Sequence, residues 1–152
     1  NLLWLIQHRY PGEKIIVWAA SMHIARNITT IDTEIPGISY NDSNTMGQGV
    51  WNVLKDKMYS IAFTAYDGYF GTPFSLHRPL SPAIPNSLEG IFKSTNANFS
   101  FIDFKSIPDG HWLRRKLKAR PLGHATMTSE WPLNFDAMFF IKTMYNNPKI
   151  EK

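Results

Sequence analysis

A chain of 152 residues is long enough for one domain with a proper core and too short for a second full one. An apolar share of 43% with 14% aromatics excludes a disordered tail, and the lack of cysteine excludes disulfides, thiolate zinc sites and a cysteine nucleophile. No apolar run approaches the roughly eighteen residues of a membrane span, and the net charge of +4 is largely local, because five of the sixteen basic residues fall between Arg114 and Arg120.

Asn1 to Tyr10 reads as the end of a helix with Leu2, Leu3 and Ile6 on one face, stopped by Pro11. Its abrupt start and the absence of an initiator Met are expected of a piece of something longer, or of a processed product. After Pro11-Gly12, the run Lys14 to Ala19 has the pattern of a strand buried on both faces. Beyond it Ser21 is placed to cap a short turn carrying His23, Arg26 and Asn27, the arrangement expected where a strand's carboxyl end meets a ligand. Residues 28–44 read as a long surface loop.

Thr45-Met46-Gly47-Gln48 fits a capping box that opens an amphipathic helix ending near Lys57, with Gly47 allowing close approach to the sheet. Met58 to Tyr66 is the second strand, turned by Asp67-Gly68. Four prolines between Gly71 and Pro85 exclude regular structure there. Asn86 is expected to cap a third helix whose Glu89 completes a capping box. Asn98 to Phe104 is a third strand with Phe99 and Phe101 in the core, His111 to Ala119 a short basic helix, and Phe135 to Thr143 the last strand. The alternation predicts an α/β fold with a largely parallel sheet flanked by helices.

The segments Trp18-Ala19-x-x-x-His23-Ile24-Ala25-Arg26, Thr45-Met46-Gly47, Tyr59 to Thr64 with Gly68, Ser87-Leu88-Glu89 and Phe135-Asp136-Ala137 come in the order found in erythromycin esterase-like proteins. The chain resembles the C-terminal part of that family over nearly its whole length. The resemblance implies a hydrolase that opens an ester or lactone, macrolide lactones included, through water activated by histidine and glutamate side chains above the sheet. A neutral imidazole is suited to take a proton from attacking water, and a cation such as Arg26 to steady a developing oxyanion. On this resemblance His23 is the catalytic candidate, and Arg26, Asn27, Asp67 and Glu89 are candidates for substrate binding. The implied partners are a small ester and the N-terminal portion of a parent protein, and no cofactor is implied.

Two departures temper the expectation. The family motif has two histidines three residues apart, and the first is Ala20 here, with Ser21 where an asparagine usually follows. The family's N-terminal half also supplies a His and a Glu that this chain does not match, so the isolated chain is expected to be inactive, an incomplete fragment of a larger domain. The alternative is a catalytically lapsed binding or scaffold module of the same fold.

Each candidate also has a plainer role. Arg26 and Asn27 suit the end of a turn, and Glu89 suits a cap. His111 and His124 lack partners at metal-ligand spacing, so no zinc site is expected. The basic run from Arg114 to Arg120 fits a solvated helix face better than a nucleic-acid contact.

Overall fold

The structure is a computed structural model that describes residues 1–41, 43–71 and 77–145. The helices are α1 (Leu2–Trp4, continued by a π turn over Leu5–Arg9), α2 (Ser21–Ile24), α3 (Met46–Leu54), α4 (Leu88–Ser94) and α5 (Trp131–Asn134). The strands are β1 (Asp32–Thr33), β2 (Ile61–Phe70), β3 (Arg78–Leu80), β4 (Phe99–Asp103), β5 (Leu117–Ala119), β6 (Met127–Ser129) and β7 (Ala137–Met144). They form a four-stranded sheet in the order β3-β2-β7-β4 and a three-stranded one in the order β1-β6-β5.

The architecture is mixed α/β, but the larger sheet is not largely parallel. Only β2 and β7 run parallel, with Phe63 opposite Phe139, while β3 and β4 are antiparallel to their neighbours. The expected first strand is the main reason for the difference. Lys14 to Ala19 is irregular and has no ladder partner among the described residues, with Ile16 92% and Trp18 87% exposed. A strand exists only through its neighbour, and the run meets the sheet at the Trp18 ring, 5.8 Å from Phe63.

One face of the larger sheet, bearing Ala62, Met138, Phe140 and Ile102, is buried. There α4 packs its Phe92 ring 5.5 Å from Phe140. The core continues through Leu88, Phe104, Trp131 and Phe135 toward the smaller sheet, where the Trp131 indole donates to Leu117 O at 2.8 Å. The opposite face carries Phe63, Phe139 and Phe99, rings 5.5 and 6.1 Å apart in sequence across the ladder. Phe99 and Phe101 are therefore exposed rather than in the core, because β4 turns its Phe residues away from α4 and its Ile102 toward it.

Several local expectations shift for stated reasons. Residues 28–44 are not merely a surface loop: Ile28, Ile31 and Tyr40 are buried, and Asp32–Thr33 pairs with β6. Asp67-Gly68 does not turn the chain but lies within β2, where Gly68 at φ 118° passes so close to the Met144 backbone that a side chain would not fit. The proline-rich stretch still holds β3, whose Pro79 is tolerated on an edge strand; the part of it at residues 72–76 lies outside the described residues. The basic run is not a helix: a single turn at Trp112–Arg114 leads into β5, because Leu117 and Ala119 alternate inward against β6.

Candidate functional site

The turn α2 is anchored on both sides, to β2 and to α3. Ala20, not Ser21, is its N-cap, and the Ser21 hydroxyl instead accepts from Phe63 N–H at 3.2 Å. The Ile24 backbone lies directly on Gly47, so that any side chain at 47 would collide with it. The close approach expected of Gly47 is thus real, but toward α2 rather than the sheet. Thr45 caps α3 by accepting from Gln48 N–H at 3.0 Å, and its hydroxyl donates to Ala25 O at 2.5 Å. The Gln48 side chain does not close a capping box. It accepts from Asn27 N–H at 2.7 Å, supporting a residue in the left-handed region at φ 45°.

Arg26 is buried, and its Nη1 donates to both carboxylate oxygens of Asp136 at 3.0 and 3.1 Å. Asp136 also accepts from the Ser60 amide at 2.7 Å and its hydroxyl at 3.1 Å. Asn134 Nδ2 donates to Arg26 O at 2.8 Å, and Arg26 N–H donates to Asn134 O at 3.0 Å. Asn27 Nδ2 donates to Leu133 O at 2.9 Å. Arg26 and Asn27 are thus anchors, joining the exit of α2 to the segment before β7. They border a depression of about 350 Å³ with Trp51, Lys105, Arg114 and Asp136. It lies beside the residues that precede β2 and β7, at the amino ends of the parallel pair, opposite to where a ligand is expected.

Amid these ties His23 is exposed; its amide donates to Ala20 O at 2.8 Å, while its imidazole makes no hydrogen bond among the described residues. It lines neither this depression nor the cavity on the other side of α2. The turn is fixed and its imidazole is uncommitted.

The second cavity, about 270 Å³, lies on the other side of α2. Its apolar wall is made by Met22, Phe63, Ala65, Leu122, Ile141 and Met144. Ser21, Thr64 and His124 add polar groups. His124 follows Gly123, both in the left-handed region (φ 72° and 110°), and its ring centroid is 4.7 Å from Phe70. Burial, and then the Arg120 cation, lower its pKa below the ordinary histidine value.

Behind the cavity is a buried polar group built on Glu89 and Arg120. Ser87, not Asn86, caps α4 by accepting from Gly90 N–H at 3.2 Å. This one-residue shift takes Glu89 out of any capping box and into the core at 0% exposure. Its Oε1 accepts from the Thr64 hydroxyl at 2.5 Å and from Arg120 N–H at 2.9 Å, while Oε2 has no partner among the described residues. The Arg120 guanidinium donates to Ala65 O at 3.0 Å, to Ser81 O at 2.9 Å and to Tyr66 O. Burial lowers its pKa, opposed by the charges of Glu89 and Asp67. Asp67 adds one buried carboxylate oxygen without a partner among the described residues.

The predicted site residues therefore do not converge. Arg26 and Asn27 hold the amino-end depression, Asp67 and Glu89 share the field of Arg120, and His23 stands between them on α2. Missed from the sequence were Thr64, Arg120 and Asp136, whose partners are remote in the chain. The only local signal for Arg120 was its place after the alternating Leu117 and Ala119. Three others of the basic run are bound up individually: Lys116 with Asp32 at 2.9 Å, Lys118 with Glu34 at 2.5 Å, and Arg114 with Ile107 O at 2.6 Å.

The sequence model of the family described as erythromycin esterase matches residues 1–144. The chain belongs to the erythromycin esterase family. A Bacillus subtilis (strain 168) protein named "Putative hydrolase YbfO" is 30% identical over 104 residues, which make up 66% of this chain and 23% of that protein. Two crystal structures share the fold at TM-score 0.63 and 16% identity. One is a Bacillus cereus protein, matched over 87% of this chain and 34% of its own; the other, titled a succinoglycan biosynthesis protein, is matched over 82% and 32%. The chain thus spans about a quarter to a third of the proteins it resembles. Ala20, where the resemblance implies a histidine, is exposed at the N-cap of α2.

Proposed function

We propose that this chain is the C-terminal part of an erythromycin esterase-like hydrolase, in which His23 activates water for attack on the carbonyl of an ester or lactone. The observation that carries this reading is the pairing of a rigid turn with an unengaged imidazole. Every residue from Ala25 to Asn27 is tied to a distant element, and Ser21 is tied to β2, while the His23 ring is left free to meet substrate and water. Such preorganisation is what general-base catalysis needs, since the base must be held within hydrogen-bond reach of the water it deprotonates. The remaining groups of the site come from the N-terminal portion of the parent, so residues 1–152 alone are expected to be inactive. The substrate is a small-molecule ester. No cofactor, nucleic acid or membrane enters this reading.

A lapsed scaffold is the second reading, favoured by Ala20. The discriminating experiment is hydrolysis of a chromogenic ester by the full-length protein, its His23→Ala variant and its Ala20→His variant. Turnover that depends on His23 supports the hydrolase; turnover seen only after Ala20→His supports lapse. Turnover unchanged in His23→Ala rejects the role given to that residue.

A further inference from the structure

We propose that the cavity between α2 and the Pro121–His124 segment binds the uncharged aliphatic portion of a carbonyl-bearing ligand, with the His124 imidazole as the group that fixes the carbonyl oxygen. The proposal deepens the hydrolase reading by naming the kind of acyl or alcohol group the substrate carries.

Size and wall chemistry come first. At about 270 Å³, lined by Met22, Phe63, Ala65, Leu122, Ile141 and Met144, the cavity suits a short aliphatic chain or a small ring. Among the described residues that line it there is no Asp, Glu, Lys or Arg side chain. The Arg120 cation, whose charge reaches His124, turns its hydrogens to the carbonyls of Ala65, Ser81 and Tyr66 and is already opposed by the Glu89 and Asp67 carboxylates. A carboxylate entering here would lose its hydration and find no counter-ion, so the cavity selects against charge.

The polar groups then set what is recognised. Thr64 has given its one hydroxyl hydrogen to Glu89; the Ser21 oxygen accepts from Phe63 N–H and keeps its own hydrogen, a second donor beside His124. The His124 ring makes no hydrogen bond among the described residues, and its backbone is held in the left-handed region, where the ring packs on Phe70. Burial keeps it neutral at pH 7, so it offers one N–H to an oxygen and no charge. Position links the cavity to the proposed chemistry. Ser21 and Met22 in its wall immediately precede His23, so a ligand held here lies along the turn that carries the imidazole.

The test is an amide NMR titration of the chain with 2-heptanone, a neutral ketone that cannot be hydrolysed, and with hexanoate, an anion of similar length. Saturable shifts centred on Ser21, Ala65 and His124 are expected with the ketone, with hexanoate at least about tenfold weaker. His124→Asn, which tolerates the left-handed backbone, is expected to weaken ketone binding about fivefold, the worth of one hydrogen bond. Met144→Trp is expected to abolish it by filling the cavity, and Met22→Phe replaces that variant if its spectrum shows loss of fold. No saturable shift, shifts centred elsewhere, equal binding of hexanoate, or unchanged affinity in His124→Asn would each overturn the proposal. Because the ketone is not a substrate, the outcome is independent of whether His23 supports turnover.

Discussion

Substituting Gly47 by alanine tests whether α2 is held as tightly as its contacts imply. An added Cβ at 47 would fall on the Ile24 backbone, and no side-chain rotation relieves a clash with main chain. The two helices must separate, straining the Thr45 hydroxyl bond to Ala25 O and the Asn27 amide bond to Gln48. Overpacking costs about 1–3 kcal/mol, the two hydrogen bonds about 1 kcal/mol each, and the better helix propensity of alanine returns about 1 kcal/mol. The net expectation is a destabilisation of about 2–4 kcal/mol. Gly49 on the same helix is the control, because a Cβ there meets nothing within 4 Å. Gly49→Ala should be neutral or stabilising by up to about 1 kcal/mol. Urea unfolding followed by circular dichroism reads both. If Gly47→Ala matched Gly49→Ala or exceeded the parent in stability, the α2–α3 contact would not be what fixes the turn.

Asp136→Asn leaves the buried Arg26 cation without its carboxylate and should cost about 3–5 kcal/mol, read from the urea midpoint; a cost below about 1 kcal/mol would mean that the pair is not dry. His124 has a folded-state pKa below its unfolded value, so as pH falls the unfolded chain takes up the proton first. Its contribution to stability is therefore complete above pH about 6.5 and is lost as pH falls from there through the lower folded value. Urea midpoints from pH 7.5 to 5 should fall less steeply in His124→Asn than in the parent, and identical slopes would contradict a desolvated ring.

What was legible in the sequence was mostly local. The Thr45 cap, the helix it opens and the last strand emerge from short-range pattern, because a hydroxyl reaching an amide three residues on needs no partner elsewhere. The family resemblance was also legible, through five short segments in order, and the family match over residues 1–144 bears it out. What depends on distant partners was not. Lys14 to Ala19 has strand composition yet no strand beside it, and β5 reads as a basic helix until β6 supplies the ladder. Glu89 shows how narrow the margin is. With Asn86 as cap its carboxylate would sit at the helix start in solvent, whereas with Ser87 as cap it turns into the core to meet Thr64 and Arg120. For Arg26, the residue type pointed to a ligand, but Asp136, 110 positions away, takes its charge.

Chemical rescue tests the central claim about His23 most directly. Ester turnover by the full-length His23→Ala protein, measured with and without added imidazole, isolates the ring from the rest of the turn. Loss of a general base should lower kcat by about 10²–10⁴-fold, and free imidazole should restore part of it in a concentration-dependent way. Turnover that survives the substitution undiminished, or a loss that imidazole leaves untouched, would contradict a water-activating role for that side chain.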